Sequence, residues 1–188
     1  MFQSAPGMTG RNNTEGFMPP GVDYPLEGEV SNRSLFSLKI CVQTEAIDLA
    51  AEVAALYRSN PKVGAVASFL GLVRDINEGQ GVSAMTLEHY PGMTEKALTQ
   101  IVEDARARWE VLDACVIHRV GPLFPTDPIV LVAVASGHRG DAFAACEFIM
   151  DFLKTRAPFW KKEATPDGEK WVDARESDDA AAARWNNS

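Results

Sequence analysis

Apolar residues recur along this chain in two rhythms. Leu35 to Val42 (LFSLKICV) alternates apolar and polar, which predicts a strand with one buried face. From Glu45 to Arg58 the apolar residues Ile47, Leu49, Ala50, Val53, Ala54 and Leu56 fall at helical spacing behind Thr44, a residue suited to an N-cap. Asn60-Pro61 ends that run. Val63 to Val73 (VGAVASFLGLV) is a long, nearly continuous apolar stretch and reads as a buried strand. Gly64 and Gly71 within it point to a close backbone approach or a bulge. Arg74 closes the strand, Asp75 to Gly81 is a polar loop, and Val82 to Tyr90 alternates again. This last segment is expected to pair with the preceding strand as a hairpin. Thr94 is positioned to cap a helix running to Trp109, and Leu112 to Val120 reads as a strand. Gly121-Pro122 and Pro125 to Pro128 bracket a loop, and Ile129 to Ser136 (IVLVAVAS) is expected to be a buried central strand. Gly137 to Asp141 (GHRGD) leads into a helix over about 142–156. Ala157-Pro158 stops it, because a residue before proline avoids the helical region. A hairpin from Trp160 to Val172 turns at Pro166-Asp167-Gly168. Ser177 is placed to cap a short final helix ending near Trp185.

The predicted order is β-α-β-β-α-β-β-α-β-β-α. Helices and hairpins interleave, so the fold class is α+β rather than a doubly wound parallel sheet. Residues 1–33 break the pattern. They carry four Pro and five Gly with no periodicity, and read as a flexible extension ahead of one domain over 34–188.

Composition excludes several function classes. Of the 188 residues 46% are hydrophobic and 23% charged, ordinary values for a soluble globular chain. The longest nearly apolar run, Val63 to Val73, is too short for a membrane span. No basic start followed by an apolar core marks a secretory signal. Cys41, Cys115 and Cys146 lack metal-ligand spacing and read as small buried hydrophobes in a reducing, cytoplasmic compartment. A net charge of −8 argues against general nucleic-acid binding.

One stretch runs against that charge. Between Lys154 and Arg175 lie six cations (Lys154, Arg156, Lys161, Lys162, Lys170, Arg175) and four acids (Glu163, Asp167, Glu169, Asp173), a balance of +2. A basic, aromatic-rich segment in an acidic protein suits an anion, although a solvated helix end followed by a hairpin would look the same. Lys154 ends the third helix and Lys161 begins the hairpin beside Phe159 and Trp160. Elsewhere Arg74 ends a strand, and His138 and Arg139 stand between the apolar strand and the third helix. If strands 63–73 and 129–136 are neighbours, Arg74 and His138-Arg139 could share an edge. Two arginines, a histidine and two lysines would hold phosphate or carboxylate. His118-Arg119 is a rival pair, and one of the two pairs is expected to be structural. Glu88-His89-Tyr90 is a further polar cluster, with no nucleophile near it. No phosphate loop, zinc signature or nucleophile elbow appears.

These residues also carry a resemblance. FLGLVRDINEG, LEHYPGMTEKAL, VIHRVGPL, SGHRGDAF and FLKTRAPFWKKEATPDGEKWVDARESD are similar to the MoaE family, the large subunits of molybdopterin synthase, from about Leu35 to Trp185. The resemblance implies an α/β hammerhead-type fold with a smaller antiparallel β subdomain. It implies a homodimer at the centre of a heterotetramer, with a small ubiquitin-like sulfur-carrier subunit (MoaD-like) at each end. The carrier's thiocarboxylated C-terminus would deliver sulfur to cyclic pyranopterin monophosphate, making the dithiolene of molybdopterin without a metal or other cofactor. The catalytic positions it implies are Lys154 and Lys161. Those implied for substrate binding are Arg74, His138, Arg139, Lys162 and Glu163. The chain departs from the family at Leu72, where a polar or basic residue is common, and at Gly137, where Ala is usual. A competing expectation is a dimeric scaffold that holds a ubiquitin-like tail without turnover. Both lysines argue against it, since tail binding needs one cation. Another is an enzyme whose buried lysine forms a Schiff base.

Overall fold

The computed structural model describes residues 37–77, 80–81, 83–165, 168–172 and 176–187, which all fall within one compact unit, Ser34–Ser188. The extension expected over 1–33 lies outside them. Its elements are Ser37–Gln43 (β1), Leu49–Ala55 (α1), Ala65–Leu72 (β2), Ile76–Asn77 (β3), Gln80–Gly81 (β4), Ala84–His89 (β5), Met93–Arg106 (α2), Asp113–Arg119 (β6), Gly121–Leu123 (β7), Pro128–Ser136 (β8), Arg139–Arg156 (α3), Phe159–Thr165 (β9), Gly168–Val172 (β10) and Glu176–Ala183 (α4), followed by a 3-10 turn at Arg184–Asn187.

Strands form two main sheets. The larger runs β1-β6-β8-β2, with β1 parallel to β6 and the other pairs antiparallel. The continuous apolar run of β8 is explained by its central place. Val130, Val132 and Val134 face a core built with Leu98, Ile101 and Val102 of α2 and Phe148, Ile149 and Phe152 of α3. Leu131, Ala133 and Ala135 face the opposite side, with Cys115, Ile117 and Leu56. Burial of both faces is what an unalternating strand needs.

The smaller sheet runs β10-β9-β5-β7 and is antiparallel. The expected hairpin between 63–73 and 82–90 therefore does not form: β2 pairs with β8, and β5 pairs with β9 and β7. The residue patterns explain the separation. β2 is apolar on both faces and needs cover on each, whereas β5 buries Met85 and Leu87 and turns Glu88 outward. A strand of the second kind belongs in a sheet with one wet face. The polar loop between them holds the two-residue β3–β4 ladder.

Two helix starts also differ from expectation. The first helix begins late because Asp48, not Thr44, is its N-cap, and its carboxylate accepts the Ala51 N–H at 3.0 Å. The second begins at Gly92, whose N–H donates to the Glu95 carboxylate at 2.6 Å. Thr94 instead is buried, its hydroxyl within bonding reach of the Tyr90 and Pro158 carbonyls. Gly71 in β2 and Gly64 just before it behave as read. The ladder slips between Gly71 and Leu72, and a Cβ on Gly64 would sit 2.3 Å from the Gly137 carbonyl oxygen.

Candidate functional site

Each candidate side chain is placed by the end of an element. β2 and β8 are neighbours, as supposed, but antiparallel: Ala65 lies opposite Ser136 and Leu72 opposite Pro128. Arg74 follows the C-terminal end of β2. His138 and Arg139 follow the C-terminal end of β8. Within one chain they thus stand at opposite ends of the strand pair, separated by ~30 Å for a nine-residue strand. The shared edge expected from sequence is not formed within one chain.

The topology directs two lysines toward the Arg74 end. Helix α3 leaves the far end of β8, packs on β8 and β2, and returns along them, so its last turn carries Lys154 back. Val73 packs with Met85, Leu87 and Leu123 of the smaller sheet. Leu87 is the cross-strand partner of Lys161, which brings Lys161 to the same apolar face.

The lysines differ in setting. Lys154 is half exposed and its Nζ lies 3.2 Å from Asp178 Oδ1 at the start of α4. Asp178 is thus the carboxylate partner of Lys154 within this chain. Lys161 is more enclosed, and its Nζ is paired with Glu163 Oε1, a carboxylate only 7% exposed. Because strand side chains alternate, Phe159, Lys161 and Glu163 share the inner face of β9, while Trp160 and Lys162 face outward. Lys162 Nζ lies 5.8 Å from the Trp171 ring, its cross-strand neighbour. Lys162 and Glu163, expected side by side in the site, are thereby split. Glu163 backs Lys161, and Lys162 belongs to an aromatic outer face.

His138 is the N-cap residue of α3, extended at φ −131° and ψ 143°, and its N–H donates to Ser136 Oγ at 3.2 Å. Arg139 opens the helix, and both side chains are exposed. At Gly137 a Cβ would meet only the end of the exposed Glu110 side chain, at 2.7 Å, which can swing aside, so packing does not explain that departure.

The rival pair is structural. His118 is buried and stacks on Phe159 with ring centroids 3.9 Å apart. Its Nδ1 lies 2.9 Å from the Arg119 carbonyl, so that nitrogen carries the proton. Burial, only partly offset by that hydrogen bond, pushes its pKa down to about 4. Arg119 donates to the Pro128 carbonyl at 3.1 Å and to that of Thr44 at 3.3 Å. Glu88 and His89 point to opposite faces of β5, so the Glu88-His89-Tyr90 cluster does not form.

Two features escaped the sequence reading. Asp178, the partner of Lys154, had no signal beyond its acidic neighbours. The turn at Phe124–Asp127 was legible only as a loop. Beside it, Val73, Arg74, Asp75, Pro125 and Thr126 line an open surface depression. Thr126 has φ 77°, a left-handed conformation that costs a β-branched residue about 1–3 kcal/mol. Among the described residues no group of three or more His, Cys, Asp or Glu side chains is arranged to hold a metal, and no helix is long and apolar enough to cross a membrane.

Comparison with known proteins adds an independent line. The family model described as MoaE protein matches residues 42–156. The molybdopterin synthase catalytic subunit of Ralstonia nicotianae is 68% identical over 146 residues, covering 78% of this chain and 83% of that protein. The structure of the molybdopterin biosynthesis MoaE protein of Burkholderia ambifaria superposes with a TM-score of 0.70 at 61% identity, covering 80% of this chain and 99% of the other. That of molybdopterin synthase from Staphylococcus aureus gives 0.65 at 34% identity, covering 75% and 98%.

Proposed function

The chain belongs to the MoaE protein family, and from that premise we propose how it acts: as the catalytic subunit of a molybdopterin synthase, within a cytoplasmic assembly. It moves sulfur from the thiocarboxylated C-terminus of a small ubiquitin-like carrier to cyclic pyranopterin monophosphate, forming the dithiolene. The work is done by residues 34–188. What supports the site is the topology, which carries Lys154 at the end of α3 and Lys161 on β9 toward the end of the larger sheet that Arg74 follows, with Lys161 paired to the enclosed Glu163.

The roles follow from the settings. Lys154 is exposed and already pairs with a carboxylate, which suits it to meet the carrier's terminal carboxyl and to give or take a proton as sulfur attacks. Lys161 is fixed by Glu163, which suits it to stabilise negative charge on the departing phosphate oxygen. Glu163 acts by positioning that ammonium, in place of the substrate contact that the resemblance implies. Arg74 lines the open depression and holds phosphate by charge-assisted hydrogen bonds.

His138 and Arg139 enter through a second copy. β2 is an edge strand with no described strand beyond it, and Phe69, Leu72 and, on α3, Phe143 are exposed large hydrophobics. Two copies related by a two-fold axis along their β2 edges run antiparallel. Arg74 of each then meets the end of the other's β2, where Gly64 donates to Ser136 at 3.0 Å and abuts Gly137. That end carries His138 and Arg139. The homodimer thus completes an anion site that one chain leaves divided.

The test is reconstitution with thiocarboxylated carrier and cyclic pyranopterin monophosphate, following dithiolene product by the fluorescence of its oxidised derivative. Product that is lost in K154A and K161A supports the reading. A carrier that binds without any turnover would favour the scaffold reading instead.

A further inference from the structure

Thr126 is held at φ 77°, in a conformation that β-branched residues avoid, with nothing in the chain's local chemistry favouring it. What it achieves is visible in the hydrogen bonds. The Thr126 N–H donates to the Val73 carbonyl at 2.8 Å, and the Val73 N–H donates to the Asp127 carbonyl at 3.0 Å. The turn is closed on itself by the Asp127 N–H donating to the Phe124 carbonyl, and by the Phe124 N–H donating to Asp127 Oδ2, both at 3.0 Å. Arg119 Nη1 stands 3.9 Å from the same carboxylate.

The place of this clamp is specific. The β2–β8 ladder slips between Gly71 and Leu72 and stops at Leu72 opposite Pro128. Beyond that slip, residue 73 is gripped on both its N–H and its C=O by the turn. Arg74 is the next residue, and Thr126 and Arg74 line the same open surface depression.

We propose that the Phe124–Asp127 turn, with Thr126 in its left-handed conformation, is a positioning device for Arg74 and sets how tightly the site takes the substrate's phosphate. Thr126 acts through its backbone. The left-handed φ brings its N–H to Val73, and the strain is tolerated because two hydrogen bonds at residue 73 hold the base of the arginine. The inference rests on Arg74 being a phosphate contact.

Three variants separate the possibilities in the reconstituted reaction. T126G keeps the conformation without strain, so it retains the wild-type KM for the cyclic phosphate substrate and melts a few degrees higher. T126P cannot adopt a positive φ and removes the N–H donor. D127A frees the Phe124 N–H and loosens the turn more gently, so it serves if T126P fails to fold. Both raise KM about tenfold, with kcat little changed, as expected when a binding contact is displaced. In an R74A background D127A raises KM less than twofold, because the residue it positions is gone. Equal losses from D127A with and without Arg74 would overturn the inference and leave the turn a purely structural element. So would a rise in KM for T126G as large as that for D127A, which would place the role in the threonine side chain. R74A with wild-type KM would overturn the reading of Arg74 itself, and the inference with it.

Discussion

Substituting His118 by Gln should flatten the acid side of this protein's stability profile. In the fold His118 is buried and neutral, stacked on Phe159, with Nδ1–H donating to the Arg119 carbonyl and its pKa pushed down to about 4 from 6.5. His89 lies near enough to disfavour a second positive charge there. A depressed pKa means that the unfolded chain binds a proton first as pH falls. Stability from this residue is therefore complete above about pH 6.5, and is lost as pH drops from there toward 4. A gap of about 2.5 pK units corresponds to about 3 kcal/mol in all, of which about 2 kcal/mol is gone by pH 5. The Gln variant keeps a donor and loses both the stack and the titration. Urea unfolding at fixed protein concentration, at pH 7 and pH 5, separates these effects. Lost packing weighs equally at both pH values, so the deficit of H118Q at pH 7 should shrink by about 2 kcal/mol at pH 5. A deficit unchanged between the two pH values would refute the claim that His118 is held neutral by burial.

The two lysines should part company in stability. K154A removes an exposed ion pair with Asp178 and should cost no more than about 1 kcal/mol, whereas K161A takes the cation from the enclosed Glu163 and should cost about 1–3 kcal/mol more by thermal unfolding. D178N should lower the carrier concentration needed for half-maximal turnover severalfold, since it removes a carboxylate that competes for Lys154; unchanged carrier dependence would show that the contact does not persist in the working enzyme. G64A should both destabilise the protein and depress turnover, because the new Cβ would fall 2.3 Å from the Gly137 carbonyl beside His138; a variant with normal melting and normal rate would mean that this contact does not set the loop.

The reach of the sequence can be judged from particular residues. β8 was legible as a central strand because seven successive apolar residues leave neither face for water. Its partner's direction was not, since periodicity records burial and says nothing of pairing. That gap put Arg74 and His138 together on one edge. The hairpin expected at β5 fails for the same reason: alternation marks a strand with one wet face, and closeness in sequence does not choose its neighbour. Thr44 lost the first helix to Asp48 because caps are settled by which side chain reaches a free N–H. Lys161, Lys162 and Glu163 are consecutive, yet only the strand's two-residue period sorts them into an inner pair and an outward lysine. The two His-Arg pairs were chemically equivalent on paper. Burial under Phe159 made His118 structural, and the start of α3 left His138 exposed.

The composite site is the claim on which this account turns, and mixed dimers test it most directly. R74A and R139A copies are purified separately, each of low activity, then mixed, allowed to exchange subunits and assayed with carrier and substrate. If each site draws Arg74 from one copy and Arg139 from the other, a mixed dimer carries one intact site and one doubly damaged one. Random pairing then restores about a quarter of wild-type turnover. Activity that stays at the level of the separate variants, despite demonstrated subunit exchange, would contradict the account and return both arginines to separate sites within one chain.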